Sequence, residues 1–197
     1  GSTVSVNYLR KGQPGDQFVF YGRQTEDGWQ WQLPLEVTEI TYGYLKQCPS
    51  PELPTLERLK FYQRFLDARD PFLSNDAFAE FSRAPYADVA AIATTLSAEK
   101  IRGWIDNPQT DPVRLGFFAL LLGLAGDPSD AERLWNHFAA ATKKDEVRLG
   151  IDGMMGAYVL LTGPAGLERL LETKVRAADS PDADVYAVVN ALRFLWE

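Results

Sequence analysis

Arg114 and Arg148 occupy matching places in a motif that occurs twice. Residues 111–116 read Asp-Pro-Val-Arg-Leu-Gly, and residues 145–150 read Asp-Glu-Val-Arg-Leu-Gly, 34 positions later. A guanidinium presents a rigid fork of donors that suits carboxylates. Placed once per repeat, it would either form a ladder that meets the acidic groups of a partner or tie each repeat to an Asp of its neighbour; the internal tie is expected. Asp152 interrupts an apolar run four residues after Arg148. A carboxylate buried without a partner is costly, so an Arg148–Asp152 pair at helical spacing is expected. Trp29 and Trp31 share one face of a strand pattern, with Gln30 and Gln32 on the other. Two such indoles suit either stacking on sugar rings or sealing a small sheet against the first helix; the seal is expected, because a small sheet needs large apolar residues to hold it. These five residues are the candidate binding residues.

No catalytic set assembles around them. The chain has one His (His137) and one Cys (Cys48), so it cannot form a His/Cys metal site of ordinary ligand number. No Asp-rich calcium loop, nucleophile elbow or phosphate-binding Gly loop is present. An enzyme built on this chain would need carboxylates such as Asp152 and Glu168 to converge in one pocket. The expectation is a non-enzymatic protein without metal or cofactor.

Charge narrows the partners. The 197-residue chain carries a net charge of −7, and no basic cluster relieves it. Phosphate-backbone recognition depends on clustered Lys and Arg, so nucleic acid is not an expected partner. The strongest apolar run, Leu115 to Ala125, is too short for a membrane span, which takes roughly 20 residues. No secretory signal is visible. Gly1-Ser2 has the character of a cloning remnant and the chain then enters a strand pattern directly, so an upstream segment, signal peptide included, is expected to be missing. The single Cys forms no internal disulfide and decides little about compartment.

Two periodicities organise the chain. In residues 1–47, Val4, Val6 and Tyr8, then Gln17–Tyr21, then Trp29, Trp31, Leu33, Leu35 and Val37 alternate around Gly/Asp turns. That pattern predicts a three-stranded antiparallel meander, with Pro34 at a break or an edge. Such a sheet is too small to stand alone. A Pro-rich link, Cys48 to Pro54, separates it from residues 55–197, where the period becomes helical. Helices are predicted over 55–68 with Thr55 as cap, 74–81, 86–95, 98–106 after Ser97, 112–124, 128–141, 146–161, 165–175 and 183–196. Asp111-Pro112 and Asp127-Pro128 place a capping Asp before a Pro at the first helical position, where its missing N–H is harmless.

The duplication extends past the Arg motif: Ala131-Glu-Arg-Leu134 matches Leu167-Glu-Arg-Leu170 at an offset of 36. A period in the thirties with two helices per unit is the mark of a helical solenoid. Gly116, Gly123, Gly150, Gly153 and Gly156 line one side of these helices and predict close backbone approach.

Through Asp70-Pro71, Asp111-Pro112 and the paired motifs at Asp111–Arg114 and Asp145–Arg148, residues 55–197 resemble HEAT-like α-solenoid repeats, of the kind found in uncharacterised bacterial proteins. The earlier pairs, 55–82 and 86–106, lack the Val-Arg motif. The resemblance implies an α-α superhelix of about four helix pairs plus a terminal helix, a scaffold or protein-binding role, and no catalytic residues. Val4–Tyr8 and Gly15-Asp16 before Phe18-Val-Phe-Tyr-Gly22 also resemble part of a netrin-like, OB-type β module, which implies a location outside the cytoplasm. The expected protein is therefore mainly α with a small β part: a scaffold for an unknown protein or peptide, or alternatively a glycan- or small-ligand-binding protein using the Trp face.

Overall fold

The computed structural model describes residues 11–143, 146 and 148–196. The strand expected at Val4–Tyr8 lies outside them, as do Asp145 and Val147 of the second motif. The protein is mainly α with a small β part, as expected. The contacts divide it into two units, residues 1–80 and 81–197.

In the first unit the expected strands become the two arms of one hairpin, each interrupted midway. Strand β1 (Gln17–Val19) pairs antiparallel with β4 (Leu35–Val37), and β2 (Gly22–Thr25) pairs with β3 (Gly28–Trp31). Between the two ladders the Gln32 amide still donates to the Tyr21 carbonyl at 2.8 Å. Pro34 sits in the interruption, where a residue without an N–H breaks no ladder bond. Gly28 closes the β2–β3 turn at φ 114°, a conformation that favours glycine.

The segment expected to be wholly β ends instead in a helix, α1 (Glu39–Gln47). Thr38 caps it, its hydroxyl accepting from the Thr41 amide at 3.1 Å. The β-branched and aromatic run Ile40-Thr41-Tyr42 suits a strand locally; the cap and the burial of Thr41 and Tyr44, three residues apart, decide for the helix. Helix α2 (Thr55–Tyr62) follows and tightens into a 3-10 turn at Gln63–Phe65. Thr55 is its first residue rather than its cap. Asp70 both ends that segment and starts α3 (Pro71–Arg83), its Oδ1 accepting from the Phe72 amide at 2.8 Å. Within the first unit, Tyr44 sits against Phe61, Phe65 and Phe72, and its hydroxyl donates to Asp76 at 2.7 Å.

The second unit is helical. Helices α4 (Tyr86–Ala93) and α5 (Ala98–Asp106) precede α6 (Pro112–Ala125), and Ser97 and Asp111 cap α5 and α6 as the sequence predicts. Helix α7 (Asp130–Phe138) starts two residues later than expected, after a turn in which Asp127 Oδ1 accepts from the Ser129 amide. Helix α8 (Ile151–Leu170) starts at 151 rather than 146. The break predicted near 162–164 is a kink: Gly163 leaves helical geometry at φ 62° and Pro164 follows. A π-helical turn at Leu171–Val175 ends this element, and α9 (Asp182–Trp196) closes the chain described.

Alternate helices lie against one another, α4 on α6 and α6 on α8, and α8 lies on its successor α9. Helices α5 and α7 cover α6 and α8. Glycines permit the closest of these contacts. A Cβ at Gly153 would lie 2.7 Å from the Gly116 Cα, and one at Gly123 would lie 3.0 Å from the Ala157 Cα. Gly156 differs, with nothing nearer than 3.9 Å. The core beneath is apolar and fully buried at Leu121, Leu122, Leu134, Phe138, Met155 and Leu170.

Candidate functional site

The most developed site lies in the second unit, where α6, the start of α8 and α9 meet. Two open cavities adjoin there. One, of about 370 Å³, is walled by Val113, Phe117, Leu120 and Phe194; the other, of about 320 Å³, by Leu149, Ile151, Tyr186 and Ala187. Gly150, Asp152 and Asn190 line both. The glycine contacts create this arrangement: α8 approaches α6 closely at Gly116, Gly150 and Gly153, and α9 lies along the other side of α8. Apolar side chains at the rim stay in water, Tyr186 at 68% exposure and Val113 at 57%.

Of the candidate binding residues, the structure brings Arg148 and Asp152 to this groove, but not as an ion pair. Arg148 lies before α8 and donates to the carbonyls of His137 and Ala140, the latter at 2.9 Å. It thereby satisfies orphan carbonyls at the end of α7, where a cation is favoured. Asp152 is the second residue of α8, and its Oδ1 accepts from the Gly153 amide at 2.9 Å. Arg114 is not the structural counterpart of Arg148. It is the third residue of α6, half-buried and outside the groove lining. Arg148 therefore ties the fold internally, as expected, but through backbone carbonyls rather than through an Asp of the neighbouring repeat.

Asn190 was not singled out by its sequence, although its signal resembles that of Asp152: one polar residue inside an apolar helical run, Val188-Val189-Asn190-Ala191. A second group missed by the sequence is wholly internal. Lys174, held by the π-helical turn, donates to the carbonyls of Ala139 and Ala140 at 2.9 and 3.0 Å and to Asp184 at 3.1 Å. Asp184 also accepts from the Thr142 hydroxyl and amide. Burial alone would raise the Asp184 pKa, but its bonds from Thr142 and Lys174 outweigh that and hold it below the ordinary carboxylate value. With Lys174 2% and Asp184 0% exposed, this cluster is a tie within the fold that no ligand reaches. Arg102 makes a second tie, donating to both oxygens of Asp130 at 2.6 and 2.8 Å and lowering its pKa.

Trp29 and Trp31 do not seal the sheet. They stack on one another, centroids 5.4 Å apart at 18°, and are 58% and 38% exposed. The pair lies over Gly22: a Cβ there would sit 2.7 Å from the Trp31 ring and 3.1 Å from that of Trp29. Gly22 is the cross-strand partner of Trp31, so the indoles shelter backbone that glycine leaves bare.

The remaining chemistry-bearing residues stay apart. His137 Nε2 lies 3.9 Å from Asp106. Glu168 pairs with Arg176 at 2.6 Å and does not line the groove with Asp152. Burial, reinforced by the charge of Asp76, pushes the Cys48 thiol up and so disfavours the reactive thiolate at neutral pH. Burial and the hydrogen bond to Asp76 raise the Tyr44 phenol, and burial raises that of Tyr62. Among the described residues, no group of three or more His, Cys, Asp or Glu could hold a metal ion, and no helix is long and apolar enough to cross a membrane. No protein-family model, curated protein or solved structure matches the chain.

Proposed function

We propose that the protein is a non-catalytic interaction module that binds a segment of another protein along the groove between α6, α8 and α9. The observation that carries this reading is the pair of adjoining apolar cavities with shared polar residues at their junction. Binding surfaces combine exposed aromatic and aliphatic anchors with a few fixed polar groups, and the rim supplies Tyr186, Val113 and Phe194. Alternate-helix packing supports a scaffold role, since stacked helix pairs present extended grooves to partners. A photo-crosslinking residue placed at Tyr186 should capture a protein that the same residue placed at Glu172 does not. That capture should disappear on Phe194→Glu in a chain that still folds. Equal capture at both positions would refute the reading.

The exposed Trp29–Trp31 pair supports a second reading, a flat-ligand or glycan platform, because indole faces stack on the apolar faces of sugars. Glycan-array binding abolished by Trp29→Ala, with the groove variant Phe194→Glu unaffected, would favour it.

A further inference from the structure

The groove carries an asymmetry of charge that says what it accepts. Three charged side chains line it: Glu146, Arg148 and Asp152. Two are engaged within the chain. Arg148 gives its guanidinium to two backbone carbonyls, and Glu146 Oε2 accepts from the Lys143 amide at 2.9 Å. Asp152 receives one bond, from the amide of its own neighbour Gly153, and among the described residues no cation pairs with it. Beside it, the half-buried Asn190 amide has no hydrogen-bond partner among the described residues. An amide of this kind both donates and accepts, which is what a peptide group requires of a neighbour. Both residues stand where the two apolar cavities join.

We infer that the groove receives an extended peptide with the pattern apolar-x-basic-x-apolar, a Lys or Arg meeting Asp152 and the peptide backbone meeting Asn190. In an extended chain, residues two apart point to the same face, so the two apolar side chains and the basic one between them face the groove together over about 13 Å. One apolar side chain enters the cavity at Phe117, Leu120 and Phe194, and the other enters that at Leu149, Ile151 and Tyr186. The half-buried position of Asp152 strengthens the charge-assisted bond relative to one in open water. This inference rests on the groove reading proposed above and adds the chemistry of its occupant.

Panning a phage-displayed library of random twelve-residue peptides against the whole chain tests it. Enriched peptides should carry Lys or Arg two positions from an apolar residue on each side. Synthetic copies should bind about tenfold or more weakly to Asp152→Asn and to Asn190→Ala, both with unchanged melting curves. The charge reversal Asp152→Lys should favour the same peptides with Glu at the centre. Enriched peptides without a central base, lost on Phe194→Glu but indifferent to Asp152→Asn, would overturn the proposed occupant and leave the groove reading standing. Peptides unaffected by every groove variant, or no enrichment at all, would overturn both.

Discussion

The two copies of the Arg-Leu-Gly motif have the same letters and different structures. In the first, Asp111 caps α6, Pro112 is its first residue, and Arg114, Leu115 and Gly116 are already helical. In the second, Arg148 and Leu149 precede the helix, and Gly150 takes φ 75° before α8 begins. The difference traces to position 112 against 146. Proline presets helical φ at once, whereas Glu146 has no such restriction and uses its carboxylate on the Lys143 amide. The first copy is therefore set by its neighbours in sequence. The second is held from a distance, by Arg148 on the end of α7 and by the Lys174–Asp184–Thr142 tie on the segment just before it. The copies also meet: a Cβ on Gly150 would lie 2.6 Å from the Gly116 amide nitrogen. A repeated sequence has produced two complementary surfaces rather than two identical ones.

The largest test removes the distant anchor. Lys174→Ala leaves the Asp184 carboxylate buried without its cation, and should cost about 3–5 kcal/mol in chemical denaturation. Hydrogen exchange in residues 139–143 should rise far more than in α6. The same tie dictates a pH dependence. Asp184 and Asp130 both titrate below their unfolded value, so their contribution is present above about pH 4 and is lost as pH falls through the lower folded pKa. The acid limb of the stability profile should be shallower in Asp184→Asn.

Next come the matched glycines. Gly150→Ala introduces left-handed strain as well as a clash, and should exceed the cost of Gly116→Ala by about 1–2 kcal/mol. The helical position of Gly116 recovers some helix propensity on substitution, about 0.5–1 kcal/mol, which widens the gap. Equal losses would mean that crowding alone explains both glycines. The smallest effect is expected from the local anchor: Asp111→Ala should cost about 1 kcal/mol, measured by thermal melting, with α6 otherwise intact.

The helical half was legible wherever a local signal acted alone. Ser97 and Asp111 named their helices, the gap expected between 161 and 165 holds the kink, and the glycines at 116, 123 and 153 foretold close approach. The β region was less legible, because Ile40-Thr41-Tyr42 has strand composition and takes helix geometry once Thr38 caps it. The candidate site was half visible. Asp152 was conspicuous as a carboxylate in an apolar run, but its expected partner Arg148 turned to carbonyls that the sequence places 8 and 11 residues away. Asn190 gave the same kind of signal more quietly.

By itself the sequence determined the class of the protein, mainly α with a small β part: the strand pattern of the first forty residues, the capped and Pro-started helices that follow, and the acidic charge. Those properties depend on interactions within a few residues or on composition, which any reading of the chain can reach. Only the tertiary structure decided which polar residues stay available. A guanidinium, an amide or a carboxylate is spent or free according to what the folded chain brings within about 3 Å of it. That is why Arg148, Lys174 and Asp184 close upon the fold itself while Asp152 and Asn190 face a groove.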